Sequence, residues 1–124
     1  LLATNLVLKN LLARTRPYEV VEGLHRIIEA PGDFSFPSGH TACSFAAAVV
    51  ILLMCSKKAG IAAMTLAVLI SFSRLYVGVH FPTDVLGGAV VGTLCALLAW
   101  KLCGAVKGAT KTRADQSTAE TGNE

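Results

Sequence analysis

Three apolar stretches constrain what this chain can become: residues 38–56, 59–79 and 85–103, each close to the length a bilayer requires. Lys57 and Lys58 separate the first from the second. Pro82 opens the third, at a helix position where a missing N–H costs nothing. Of the 124 residues, 53% are hydrophobic and only 15% charged. A soluble domain this small has too little interior to hide so much apolar surface. The expected fold is therefore all-α, a transmembrane helical bundle.

The remaining segments read differently. Leu1 to Ala13 is apolar apart from Thr4, Asn5, Lys9 and Asn10, and is too short to span alone. It reads as the outer end of a transmembrane helix entered partway along, with earlier spans missing. Residues 14–37 form a polar connection. Within it, Val20, Val21, Leu24, Ile27 and Ile28 recur at helical spacing opposite Glu22, His25, Arg26 and Glu29, which predicts a short amphipathic helix at the interface. From Gly104 onward the chain is Thr, Ala, Gly and charge without an apolar period, the composition of a disordered polar tail. The organisation expected is thus a membrane-embedded domain over 1–103, incomplete at its N-terminus, and a tail over 104–124.

Lys57, Lys58, Lys101, Lys107, Lys111 and Arg113 fall on one side of these spans, which makes that side cytoplasmic by the positive-inside rule. Helix parity then brings the 14–37 connection and the 74–84 turn together on the outer face.

Several function classes fall away. The net charge of +3 is small and scattered, and no basic stripe carries interleaved aromatics, so nucleic acid is not an expected partner. Cys43, Cys55, Cys95 and Cys103 form no C-x-x-C pair and lie in apolar runs, as small buried hydrophobes do. No D-x-D, H-E-x-x-H or Cys/His cage is present, so no metal is implied, and no Walker motif calls for a nucleotide. No cofactor is expected. Gly88 and Gly92 form a G-x-x-x-G whose small residues suit either a dimer seam or, more in keeping with one bundle, helix packing within the chain.

Against this apolar background the polar residues form an ordered triple of motifs: Lys9 with Arg16-Pro17, then Pro37-Ser38-Gly39-His40, then Ser73-Arg74 with His80 and Asp84. Ionisable residues in or beside membrane helices are costly and usually mark function. Snorkelling explains an isolated Lys or Arg at a helix end, but not His80 and Asp84 four residues apart. Pro37 to His40 opens a helix, with Ser38 suited to the N-cap and Gly39 allowing a ligand close to the backbone. Exposed N–H groups and the helix dipole favour an anion there, and His40 projects an imidazole from the same turn. Asp84 falls in the first turn after Pro82 and can reach back to His80. A carboxylate bonded to one imidazole nitrogen fixes the tautomer and leaves the other free to attack. Two histidines in distinct surroundings can act as nucleophile and as general acid. Lys9, Arg16 and Arg74 can neutralise a transferring phosphoryl group. His25, on the polar face of the amphipathic stretch, is given no catalytic role.

These motifs resemble the type-2 phosphatidic acid phosphatase superfamily, the lipid phosphate phosphatases; the match runs from Lys9 to Asp84 and fills every specified position. The resemblance implies a metal-independent integral membrane phosphatase that works through a phosphohistidine. It makes His80 the nucleophile, Asp84 its orienter and His40 the general acid. Lys9, Arg16, Ser38, Gly39 and Arg74 become phosphate ligands. It also implies the last part of a six-helix fold, with membrane lipids around it and a phosphorylated lipid as substrate: undecaprenyl diphosphate, phosphatidylglycerophosphate or phosphatidic acid. Vanadium haloperoxidases share the motifs but are larger and soluble. The rival readings are a non-catalytic membrane protein that binds anionic head groups, and a transporter of phosphorylated compounds. The nucleophile set argues against the first, and the scarcity of polar residues inside the spans against the second.

Overall fold

The computed structural model describes residues 2–24, 27–29 and 31–121, with side chains described for 7–24, 27–29 and 31–104. Its elements are α1 (Leu2–Leu12), α2 (Pro17–Val20), α3 (Gly39–Met54), α4 (Lys57–Tyr76) and α5 (Pro82–Thr121), with no strand among the described residues. The three expected spans appear as α3, α4 and the first part of α5. Lys57–Tyr76 and Pro82–Gly104 are long and apolar enough to cross a bilayer, while α3 is a shorter apolar helix.

The helix ends follow local chemistry. Pro82 takes the first position of α5 and leaves Asp84 in its first turn. Ser56 caps α4 through its side chain, which accepts from the Ala59 N–H at 3.3 Å. Gly78, at φ +73, turns the chain out of α4 toward His80. α1 ends at Leu12, and Ala13, at φ +41, swings Arg14 back across the end of the bundle.

α3 is the central helix and packs against both α4 and α5, which touch each other little. Close approach rests on small residues. Gly88, Gly92 and Ala96 lie one turn apart on a buried face of α5. A Cβ at Gly92 would come within 3.0 Å of the Ala42 backbone, and one at Gly88 within 2.6 Å of the Ser38 carbonyl oxygen. The G-x-x-x-G therefore packs within the chain. On the opposite face of α5, Leu86, Val90, Leu94 and Leu98 are exposed, as are Ile61, Leu69 and Phe72 on α4. An apolar exterior over a core of Ala, Gly and Ser is the pattern of helices whose solvent is lipid.

One expectation changes. The amphipathic helix over 20–28 does not form among the described residues. Helix α2 is one turn, Val21 is extended, and Gly23 at φ +79 reverses the chain. Apolar spacing alone could not outweigh a glycine at which the backbone turns left-handed. Val20, Ile27 and Ile28 remain exposed, and His25 and Arg26 lie outside the described residues. At the other end, α5 is described as helix to Thr121. Side chains beyond 104 lie outside the described residues.

Candidate active site

All three motifs meet at one end of the bundle. The Ser35 N–H donates to the Arg14 carbonyl at 2.9 Å and the Ser38 N–H to the Asp84 carbonyl at 3.0 Å, tying the long connection to the start of α5. Between these segments opens a cleft of about 410 Å³, lined by Lys9, Arg16, Gly39, His40, Arg74 and His80 among others. Six of the eight residues singled out by the motifs thus share one cavity. The other two, Ser38 and Asp84, stand fully buried behind its wall.

Each cation is placed by its element. Lys9 sits in the last turn of α1 and Arg74 in the last turn of α4. Arg16 immediately precedes α2; its N–H donates to the Glu19 carboxylate at 3.1 Å. The Arg16 guanidinium, 3% exposed, is locked by donating from Nε to the Asp33 carbonyl at 2.9 Å and from Nη1 to the Val79 carbonyl at 2.8 Å. Arg74 Nε donates to Ser73 Oγ at 3.1 Å. Lys9 Nζ donates to the Phe34 carbonyl at 2.9 Å.

An acid that sequence reasoning did not single out joins two of these cations. The Asp33 carboxylate lies 2.6 Å from Lys9 Nζ through Oδ2 and 2.6 Å from Arg16 Nη2 through Oδ1. Partial burial works to raise its pKa, but hydrogen bonds and charge from Lys9 and Arg16 outweigh this and hold it below the ordinary carboxylate value. Asp33 is therefore ionised at neutral pH.

Behind the cleft, Asp84 is saturated with donors. Arg14 Nη1 reaches Oδ1 at 2.7 Å, Ser35 Oγ–H reaches Oδ2 at 2.5 Å, and the Phe81 N–H reaches Oδ2 at 2.8 Å. His80 Nδ1 stands 3.7 Å from the same Oδ2, beyond hydrogen-bond range. The expected direct His80–Asp84 bond is thus replaced by an arrangement in which Ser35 Oγ lies 3.5 Å from Nδ1 while bonding Asp84. Two donors already occupy the oxygen that faces the ring. Arg14 also lies over the Phe81 ring, 4.3 Å from its centroid, which steadies the turn carrying His80.

His80 itself is nearly buried. Loss of hydration and then the Arg16 charge lower its pKa to about 4, while Asp84 pulls the other way. Its imidazole is neutral at physiological pH, the state a nucleophile needs.

Ser38 precedes α3 as its N-cap, but its side chain makes no cap hydrogen bond; Thr41 Oγ1 donates to its hydroxyl at 3.1 Å. Asp33, Ser35 and Arg14 all flank the recognised motifs. The available signal was their position: two polar residues just upstream of Pro37, and a second arginine two residues before Arg16.

Known proteins resemble this chain in sequence and in structure. The family model of the PAP2 superfamily matches residues 1–107. The undecaprenyl-diphosphatase of Sulfolobus acidocaldarius is 39% identical over 92 residues, covering 74% of this chain and 45% of that protein. The crystal structure of a transmembrane PAP2-type phosphatidylglycerolphosphate phosphatase from Bacillus subtilis matches with a TM-score of 0.71 and 34% identity, over 84% of this chain and 54% of that one. Aquifex aeolicus LpxE gives a TM-score of 0.71 at 30% identity, over 80% of this chain and 60% of that one. The chain spans less than half the length of the curated relatives it matches. With the family model matched over most of its length, this chain belongs to the PAP2 superfamily.

Proposed function

We propose that this chain carries the catalytic end of a multi-pass membrane phosphatase that hydrolyses a lipid phosphate or lipid diphosphate through a phosphohistidine on His80. The observation that carries the reading is the shared cleft: a neutral, nearly buried imidazole facing Lys9, Arg16 and Arg74, with a second imidazole, His40, on the same wall.

In the proposed reaction, Lys9, Arg16, Arg74 and the Gly39 N–H end of α3 hold the phosphoryl oxygens. Ser38, whose backbone N–H donates to the Asp84 carbonyl, ties that helix start to the turn carrying His80. His80 keeps its proton on Nδ1, toward Ser35 and Asp84, and attacks phosphorus with Nε2. As the N–P bond forms, the P–O bond to the leaving group breaks, and His40 protonates the departing oxygen. His40 then takes a proton from water, whose oxygen attacks phosphorus, breaks the N–P bond and releases inorganic phosphate. Charge neutralisation is assigned to the three cations, and the reaction is expected to proceed without a metal.

The names of the relatives support a polyprenyl diphosphate or phosphatidylglycerophosphate as substrate. Lys57, Lys58 and Lys101 at the opposite end of the bundle support an outward-facing cleft and a cytoplasmic tail after residue 103. Undecaprenyl diphosphate, presented in the outer leaflet, fits that orientation.

The test is phosphate release in detergent from a panel of diphosphate and monophosphate lipids, with and without EDTA. Turnover that survives chelation and is abolished by His80→Ala is expected. Head-group binding without turnover would support the non-catalytic reading instead.

A further inference from the structure

Asp33 presents a problem that the proposed chemistry does not absorb. In a cleft assigned to phosphate, a carboxylate already satisfies two of the cations, at 2.6 Å from Lys9 and 2.6 Å from Arg16. Two oxygens of one anion bridging an ammonium and a guanidinium is the contact pattern expected of two phosphoryl oxygens. The carboxylate nevertheless remains half exposed, whereas its two partners are buried. It is held by its ends rather than packed in.

The partners do not depend on it for their positions. Arg16 is anchored by the Asp33 and Val79 carbonyls, and Lys9 by the Phe34 carbonyl. Only Arg16 Nη2 and one Lys9 proton point at the carboxylate. Removing the side chain from this position would leave the cations in place. The side chain also has somewhere to go: Lys9, Arg16, Pro31 and Asp33 line both the cleft and a second cavity of about 330 Å³, lined beyond them by Asn10, Arg14, Thr15 and Glu19 among others, where Arg14 offers a cation and Glu19 is already engaged by the Arg16 N–H.

We propose that Asp33 is an internal, displaceable stand-in for the phosphoryl group: its carboxylate competes with bound phosphate for Lys9 and Arg16 and thereby sets the anion affinity of the cleft. In the empty site it compensates two buried cations that would otherwise be unpaired. When a phosphoryl group enters, the carboxylate swings toward the Asn10–Arg14 cavity. After hydrolysis it returns and disfavours retention of inorganic phosphate. A state that must vacate before binding lowers apparent affinity by its population. Asp33 thus acts as a specificity-determining residue: a doubly charged phosphoryl group displaces it, and a singly charged carboxylate or weak anion does not.

The inference rests on the reading of this cleft as a phosphate site, and the test separates the two by measuring binding rather than turnover. Inorganic phosphate is titrated calorimetrically into the full chain in detergent, for wild type and Asp33→Asn, and the phosphate dependence of Tm is recorded for both. The proposal expects the variant to bind phosphate about tenfold or more tightly. It also expects phosphate to raise the variant's Tm by more than that of wild type, because the anion takes over the lost pairing. Equal or weaker phosphate affinity in Asp33→Asn would overturn it, making Asp33 a purely structural ion-pair partner. If the variant folds only when expressed and purified in phosphate buffer, the stand-in role is supported; failure to fold with and without phosphate would overturn it. Tighter phosphate binding in a protein that never turns over lipid phosphates would leave this inference standing and remove the catalytic one.

Discussion

His80 Nδ1 and Asp84 Oδ2 lie 3.7 Å apart, and the hydroxyl of Ser35 reaches both: 2.5 Å from the carboxylate oxygen and 3.5 Å from the ring nitrogen. The His80 ring is therefore oriented through a serine as well as by the carboxylate's charge, which under the proposed reaction positions the nucleophile. This makes Ser35 a positioning residue, and Arg14, which holds the other carboxylate oxygen at 2.7 Å, a brace for Asp84.

Ser35→Ala should lower kcat by about a hundredfold with little change in KM, because a misaligned nucleophile costs rate rather than ground-state binding. Ser35→Thr, which restores the hydroxyl, should recover part of the loss. Equal damage by both variants, or a change confined to KM, would show that residue 35 matters only for packing.

Burial of a neutral His80 should appear in the pH dependence of stability. The folded-state pKa is about 4, below the ordinary 6.5, so the unfolded chain takes up the proton first as the medium is acidified. The stabilising contribution is complete above pH 6.5 and is lost as pH falls through the folded value. Unfolding of wild type should thus become easier across this window more steeply than unfolding of His80→Ala. Parallel curves for the two proteins would contradict the assigned ionisation state.

Gly92→Ala should destabilise the bundle by about 1–3 kcal/mol, the usual cost of an overpacked contact, since the new methyl would sit within 3.0 Å of the Ala42 backbone. Gly104→Ala, within α5, meets nothing within 4 Å and should be neutral or stabilising by up to about 1 kcal/mol, the helix preference of Ala over Gly. Thermal unfolding in detergent compares the two directly; a neutral Gly92→Ala would mean that α3 and α5 are not in such close register.

Cysteines placed at Glu22 or Glu29, in an otherwise cysteine-free background, should label with an impermeant maleimide in intact cells, and one at Lys58 should not. Both acids lie on the segment joining the first two motifs, and Lys58 opens α4 at the opposite end. The reverse pattern would turn the cleft to the cytoplasm and remove the argument for an outer-leaflet substrate.

The parts of this fold legible in the sequence are those that depend on neighbours along the chain. Pro82 marks the start of α5, and the long apolar runs place α4 to within a few residues, because proline geometry and apolar run length are local. Lys9, Arg16, His40, Arg74 and His80 stand out because charge in an apolar chain needs a reason. What escaped is non-local. Asp33 meets Lys9 across 24 residues and Ser35 meets Asp84 across 49. Nothing in a polar connection marks which acid or hydroxyl will be carried to a distant partner. The predicted helix over 20–28 failed for a different reason: its apolar spacing was real, but Gly23 reversed the backbone within it.

The central claim, a phosphohistidine on His80, is tested most directly by rapid quenching during turnover of a ³²P-labelled lipid phosphate. The account predicts protein-bound label that is stable to base and labile to acid, maps to the peptide containing His80, and is absent from His80→Ala. Label retained by His80→Ala, or turnover by that variant at the wild-type rate, would contradict it.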